Sequence, residues 1–247
     1  ANALHADGER AEVIKAVLMA SATHNGIIGE TWSNDAVIDG TDRGITVRPI
    51  DATVGAGHVN VDQAHLLMSG GKQTGAASGT SAATLAGWSL ETLSPGEQRS
   101  WLFASEGVTD AFSAVITWNR TVSNSFTTYT LANFDLELLR LTSQGIETTL
   151  SGSHGLGVFD GGNIASRSDV DNTEHLYITG LHAGRYILRA TRPAADSEGS
   201  SIDIGVAWTA SVPVPDADIN DDDTVAVLDL LMLLEHWGEC DLCEADI

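Results

Sequence analysis

Asp218, Asn220, Asp222 and Asp229 stand at positions 1, 3, 5 and 12 of the stretch Asp218-Ile219-Asn220-Asp221-Asp222-Asp223-Thr224-Val225-Ala226-Val227-Leu228-Asp229. Ca2+ takes roughly six to eight hard oxygen ligands, and a loop that turns alternate side chains inward supplies them at this spacing. The backbone carbonyl of Thr224, at position 7, adds a further oxygen, and a water fills in at Ala226, position 9. The metal site is therefore read as Asp218, Asn220, Asp222, Thr224 and Asp229, with Ca2+ as the cofactor. Two departures weaken it. Asp223 stands at position 6, where such loops use glycine, at a cost of about 1 kcal/mol for left-handed backbone. Asp229 replaces the longer bidentate Glu. The competing reading is an acidic solvated tail. The periodic oxygens, and the apolar stripe Leu228, Leu231 and Leu234 of a helix predicted over 227–237, argue against it.

Other reactive side chains are few. The two cysteines, Cys240 and Cys243, form one C-x-x-C without the βαβ setting of a redox motif, and zinc would need two more ligands, of which His236 supplies at most one. A local disulfide tying down a loop is the preferred reading, with free thiols the alternative. His24, His58 and His65 lie near apolar faces and read as structural histidines with no assigned chemistry. A formal charge of −22 with only 12 Lys and Arg excludes a nucleic-acid partner, whose phosphates demand a basic footprint, and disfavours anionic lipid. No apolar run approaches the ~18 residues of a membrane span, so no membrane partner is expected.

The elements that would position any chemistry begin with a helix. In the stretch Glu12-Val13-Ile14-Lys15-Ala16-Val17-Leu18-Met19-Ala20, residues Val13, Ala16, Val17 and Ala20 recur at helical spacing and predict one buried face. After a Gly-, Asn- and Asp-rich excursion over 25–53, with a short strand candidate at 44–47, comes Gly55-Ala56-Gly57-His58-Val59-Asn60. Its glycines permit a tight turn, Asn60 is a helix cap, Gln63 completes a capping box, and Val59 with Ala64 can form a hydrophobic staple.

In this order the E-V-I-K-A-V-L-M-A-S-A-T helix and the G-A-G-H-V-N turn resemble the end of a subtilisin-like serine protease (subtilase) catalytic domain. The resemblance covers residues 1–69 and implies a secreted serine endopeptidase as the parent protein, hydrolysing protein or peptide substrates, with its serine, histidine and aspartate before Ala1. Gly79-Thr80-Ser81-Ala82 resembles the G-T-S-x-A box around that family's nucleophile, but it follows both motifs where the family places it before them. No catalytic residue is assigned in this chain, which is expected to be inactive alone.

Residues 70–86 are Gly/Ser/Ala/Thr-rich and read as a linker. From 87 to 210 the period becomes two. Candidate strands at 87–93, 98–105, 111–119, 133–141, 154–159, 174–179, 184–190 and 202–209, divided by turns such as Ser94-Pro95-Gly96, predict a β-sandwich with its own core. The N-F-D-L-E-L-L-R-L, I-A-S-R-S-D-V-D-N-T-E and G-L-H-A-G-R-Y-I-L-R-A-T segments resemble the jelly-roll-like domains that follow protease domains in secreted bacterial enzymes. Trp88, Trp101, Trp118 and Trp208 read as core residues, with a carbohydrate platform as the alternative.

After a proline-punctuated linker at 211–216, residues 217–247 carry the calcium loop with only its exiting helix. That organisation resembles a dockerin module, which would attach the protein to a cohesin-like scaffold. Ala245-Asp246-Ile247 repeats Ala217-Asp218-Ile219 as the start of a second unit. The expected fold is multi-domain: an α-helical tail of an α/β subtilase domain, an all-β sandwich, and a small α calcium-loop module. The rival expectation is a non-catalytic secreted binding or scaffold-attachment protein.

Overall fold

A computed structural model describes residues 6–24, 32–38, 40–150, 159–196 and 198–211. Contacts divide the chain into Ala1–Val212 and Pro213–Ile247. The second unit, with the calcium loop and both cysteines, lies outside the described residues, as does nearly all of the strand expected at 154–159.

In chain order the elements are α1 (Ala11–Ala20), β1 (Ile45–Thr46), α2 (Val61–Ser69), β2 (Ser81–Ala82), β3 (Ala86–Leu93), β4 (Gln98–Ser105) and β5 (Thr109–Trp118). There follow β6 (Thr121–Val122), β7 (Tyr129–Thr130), β8 (Asp135–Leu141), β9 (Glu147–Thr149), β10 (Gly161–Gly162), β11 (Ala165–Ser166), β12 (Thr173–Leu181), β13 (Gly184–Thr191) and β14 (Ile202–Ser211). One sheet runs β10-β12-β5-β14-β3 and the other β1-β11-β8-β13-β4-β2, with β9 on β8 and a separate β6-β7 hairpin. Pairing is antiparallel except at the two ends of the second sheet, β1 on β11 and β2 on β4.

Alternating side chains fill the space between the sheets. Trp101, Phe103, Leu136, Leu138, Tyr186 and Leu188 from one meet Phe112, Ile116, Leu176, Ile178, Val206 and Trp208 from the other. Phe103 stacks on Phe112 at 5.1 Å. The four strand tryptophans are all core residues, at most 1% exposed.

The expected fold class is corrected here. The described chain is mostly β with two α-helices, and both helices pack on this sandwich rather than belonging to an α/β domain. The reason lies on the outer face of the β10-β12-β5-β14-β3 sheet. Register aligns His175, Val115, Ala207 and Trp88 in one row across four strands. Val13, Ala16, Val17 and Ala20 of α1 and Leu67 of α2 close over Val115, Ala207 and Trp88 as a second apolar cluster. One row further on, Gly205 makes the approach possible, because a β-carbon there would lie 2.3 Å from the Glu12 carbonyl. Thr117 Oγ1 donates to that carbonyl at 2.7 Å, and Asn119 Nδ2 donates to the Glu12 carboxylate at 2.7 Å. The apolar stripe of α1 is thus consumed by its own sheet. The sandwich has an internal core, yet one of its outer faces is built to be covered.

The turn before α2 adopts the backbone its glycines suggest, with φ +63° at Gly55 and +109° at Gly57. Asn60 Oδ1 accepts from the Gln63 amide at 3.0 Å, while Val59 is 70% exposed and staples nothing. Residues 70–86 run along the sandwich: Ala76 pairs with Ser100, β2 pairs with β4, and Trp101 Nε1 donates to the Gln73 carbonyl at 2.7 Å.

At the opposite end a buried cation ties the loops. The Arg192 guanidinium donates to Asp196 at 2.6 Å and to the carbonyls of Leu93 at 2.8 Å, Ser200 at 2.6 Å, and Glu198. Its charge lies over the Phe134 ring, 5.5 Å from the centroid.

Candidate functional site

Helix α1 ends at Ala20, one row short of covering the sheet. The uncovered row is Tyr177, Ser113 and Thr209, in register on β12, β5 and β14. It floors a cleft of about 210 Å³ whose walls are residues 20–24 and the start of α2, with Asn60 and Gln63 at its side. Two lining residues, His24 and Tyr177, belong to a cluster of four aromatic rings. His24 stacks on Tyr177 at 3.9 Å and stands edge-on to Trp32 at 4.5 Å. His175 lies 5.3 Å from His24 and 5.5 Å from Trp32 between ring centroids.

Backbone hydrogen bonds set these rings. Trp32 Nε1 donates to the Gly55 carbonyl at 2.9 Å, tying the 32–38 segment to the glycine turn. Asn163, fully buried, accepts from the Tyr177 amide at 2.9 Å and donates to the His175 carbonyl at 2.8 Å, so one side chain fixes both β12 residues. Asn34 Nδ2 donates to Asn163 Oδ1 at 2.8 Å.

Burial holds both imidazoles neutral. His24 is pushed down to about 4, chiefly by desolvation and only partly offset by the Ala22 carbonyl. His175 falls well below the ordinary range for the same first cause, then through His24, with the Pro49 carbonyl opposing. His175 Nε2 is 3.1 Å from Ser113 Oγ. Neither His175 Nδ1 nor His24 Nε2 makes a full hydrogen bond, although the Pro49 carbonyl lies against the His175 imidazole and favours its protonated form. A buried polar atom left without a bond costs roughly 1–3 kcal/mol.

Among the described residues the Ser113–His175 contact is the hydroxyl–imidazole pair that chemistry could use, but its imidazole is badly matched to general-base work, for which a pKa near the operating pH is best. What the cluster presents is neutral ring nitrogen beside aromatic faces. A different carboxyl is buried on the inner side of β12. Glu174 accepts from Ser166 Oγ and, at 2.7 Å, from the Ser168 amide, and desolvation pushes it up to about 8.

The sequence-derived site residues fall elsewhere. Asp218, Asn220, Asp222, Thr224 and Asp229 lie outside the described residues. Among the described residues no group of three or more His, Cys, Asp and Glu could hold a metal ion. Ser81 sits on β2 with its Oγ donating to the Thr74 carbonyl at 2.7 Å. His24 had been visible as a structural histidine. His175 and Ser113 had no signal beyond alternation, which put the polar stripe Thr173-His175-Tyr177 on one face of a strand without saying what faced it.

No family model matches this chain, and no curated protein matches it significantly. Among solved structures, it resembles the periplasmic g-type lysozyme inhibitor PliG of Aeromonas hydrophila at 8% identity, covering 50% of this chain and 84% of that one, with a TM-score of 0.28. The Yersinia pseudotuberculosis-derived mitogen matches at 13% identity over 53% of this chain and 90% of its own, TM-score 0.29. A Sulfurospirillum deleyianum protein matches at 7% identity over 49% and 97%, TM-score 0.28. Likeness this slight carries no argument about function. Among the described residues no helix is long and apolar enough to cross a membrane.

Proposed function

We propose that this chain is a non-catalytic accessory part of a secreted subtilisin-like serine endopeptidase, a helix-capped β-sandwich followed by a calcium-dependent docking module. The observation that carries the accessory reading is the shared cluster of α1, α2 and the outer sheet face. A body that covers its own apolar helix stripe needs no neighbouring catalytic domain to complete it. The protease parent rests on sequence resemblance alone, since the helices that carry its two motifs are part of the sandwich body; its substrates would be proteins or peptides. A free-standing secreted binding or attachment protein is the second reading, favoured by the same self-sufficient packing.

Two measurements bear on this. The chain should not turn over a generic peptide substrate. Turnover that a serine-directed covalent inhibitor abolishes, and that vanishes in Ser113→Ala or Ser81→Ala, would overturn the non-catalytic assignment.

The docking module should bind Ca2+ through Asp218, Asn220, Asp222, the Thr224 carbonyl and Asp229. A Kd of ~10⁻⁴ to 10⁻³ M is expected, since Asp223 replaces glycine and extracellular sites can be weak. Calorimetry on the full chain should show the binding heat lost in Asp218→Ala and kept in Asp221→Ala, whose side chain stands at position 4. Equal loss in both would mean diffuse attraction to an acidic segment, and a cohesin-like partner would lose its support.

A further inference from the structure

We propose that a cleft at the end of strands β8, β9 and β13 binds a small organic anion carrying two or more carboxylate or phosphate groups. All 12 Lys and Arg of the chain lie within the described residues, where two of them, Arg140 and Arg185, make no side-chain hydrogen bond, ion pair or ring contact. The others are each held by a carboxylate, a carbonyl or amide oxygen, or an aromatic ring, as Arg48 is by Asp35, Arg43 by the Asp160 carbonyl and Arg120 by Tyr129. In a chain with 34 Asp and Glu, two guanidiniums left without a carboxylate call for a reason. Both border the same cleft, of about 490 Å³.

Strand register explains how they meet. Arg140 lies across from Tyr186, and Arg185 across from Leu141, so the two arginines are diagonal neighbours on β8 and β13. Alternation sends Arg140 to the core side with Tyr186 and Arg185 to the outer side. The cleft takes in both because it lies where the strands end, β8 stopping at Leu141 and β13 beginning at Gly184. Thr148 and Thr149, consecutive on β9 and therefore on opposite faces, border it too. A ligand in this opening meets one guanidinium from each side. Ser143, in the turn between β8 and β9, adds a hydroxyl that has no partner among the described residues, and no described Asp or Glu lines the cleft.

The ligand class follows from that lining. The volume falls within the roughly 300–1,000 Å³ of small-molecule sites. A guanidinium offers planar pairs of N–H donors that match a carboxylate or a phosphate bidentately. Two of them on opposite sides of the opening suit a ligand with an anionic group for each, whereas a single carboxylate satisfies only one. The formal charge of −22 repels anions at long range, but salt at about 0.15 M screens it beyond about 8 Å. Close in, the two arginines decide.

Calorimetry and thermal melting of the full chain test this in about 0.15 M NaCl, without added Ca2+, which citrate would chelate. The probes are citrate, fructose 1,6-bisphosphate and acetate. Citrate or the bisphosphate should bind at one equivalent and raise the melting temperature, and the tighter of the two tells carboxylate from phosphate. Arg140→Gln and Arg185→Gln should each weaken that binding about 10-fold or more, and the double variant should lose it. Their ligand-free melting temperatures should stay near the parent's, since neither substitution strands a carboxylate. Arg48→Gln removes an equal charge from an ion pair outside the cleft and should bind as the parent does. No saturable heat from citrate or the bisphosphate up to about 10 mM would overturn the proposal. So would acetate binding as tightly as either, or equal weakening in Arg48→Gln.

Discussion

Glu174→Gln should leave stability nearly unchanged at pH 4 and raise it by on the order of 4 kcal/mol at pH 8. Glu174 lies between the sheets, fully buried, and holds its proton up to about 8, whereas in the unfolded chain it ionises near the ordinary carboxylate value of 4.5. Below that value both states are protonated and glutamine is a close mimic. Between 4.5 and 8 the folded state binds a proton that the unfolded state has lost, so native stability falls with rising pH by about 1.4 kcal/mol per unit. Glutamine has nothing to ionise, and its amide can still accept from the Ser168 amide and meet Ser166. Buried neutral His24 acts in the opposite direction, losing stability as pH falls toward 4, but it is common to both proteins and cancels in the comparison. Denaturant midpoints of the two proteins from pH 4 to 9 are the measurement. Parallel curves would mean that Glu174 is ionised in the folded chain and held by its serine partners.

Arg192→Met should cost about 3–5 kcal/mol, the penalty of stranding the partners of a buried ion pair. Methionine fills the space over Phe134 but leaves Asp196, 3% exposed, and the carbonyls of Leu93, Glu198 and Ser200 without a donor. Those groups join the end of β3 to the loop between β13 and β14, so the damage should appear as lost global stability rather than a local opening. Asp196→Asn added to Arg192→Met should restore part of the loss, since the stranded charge is then gone. A loss below about 1 kcal/mol would show that water reaches the site and replaces the guanidinium.

The strands were legible where one face meets the core and the other meets solvent. Gln98–Ser105 and Gly184–Thr191 alternate in this way and are bounded by proline or glycine turns. The stripe of α1 was legible too, but its partner was not, because a row of Val and Ala fits any apolar surface of matching curvature. The deciding residues are small and silent. Gly205 and Ala207 read only as weak strand residues, although they create the seat for the helix. The imidazole cluster was hidden for another reason. His175 and Ser113 are 62 positions apart, and their meeting depends on the register of β12 against β5, which no local pattern specifies.

The five-stranded sheet is a wall between two apolar compartments, and β5 runs along its middle with both faces covered past the cleft-floor residue Ser113. Its amides therefore have no direct route to solvent short of opening one compartment. In deuterated buffer the amides of 112–118 should be the last to exchange, with protection close to that of global unfolding, while those of β1 and β2 at the rim exchange first. Detaching α1 alone would convert that wall into an ordinary half-wet sheet, so the exchange rate along β5 is a direct gauge of how often the helix lifts away.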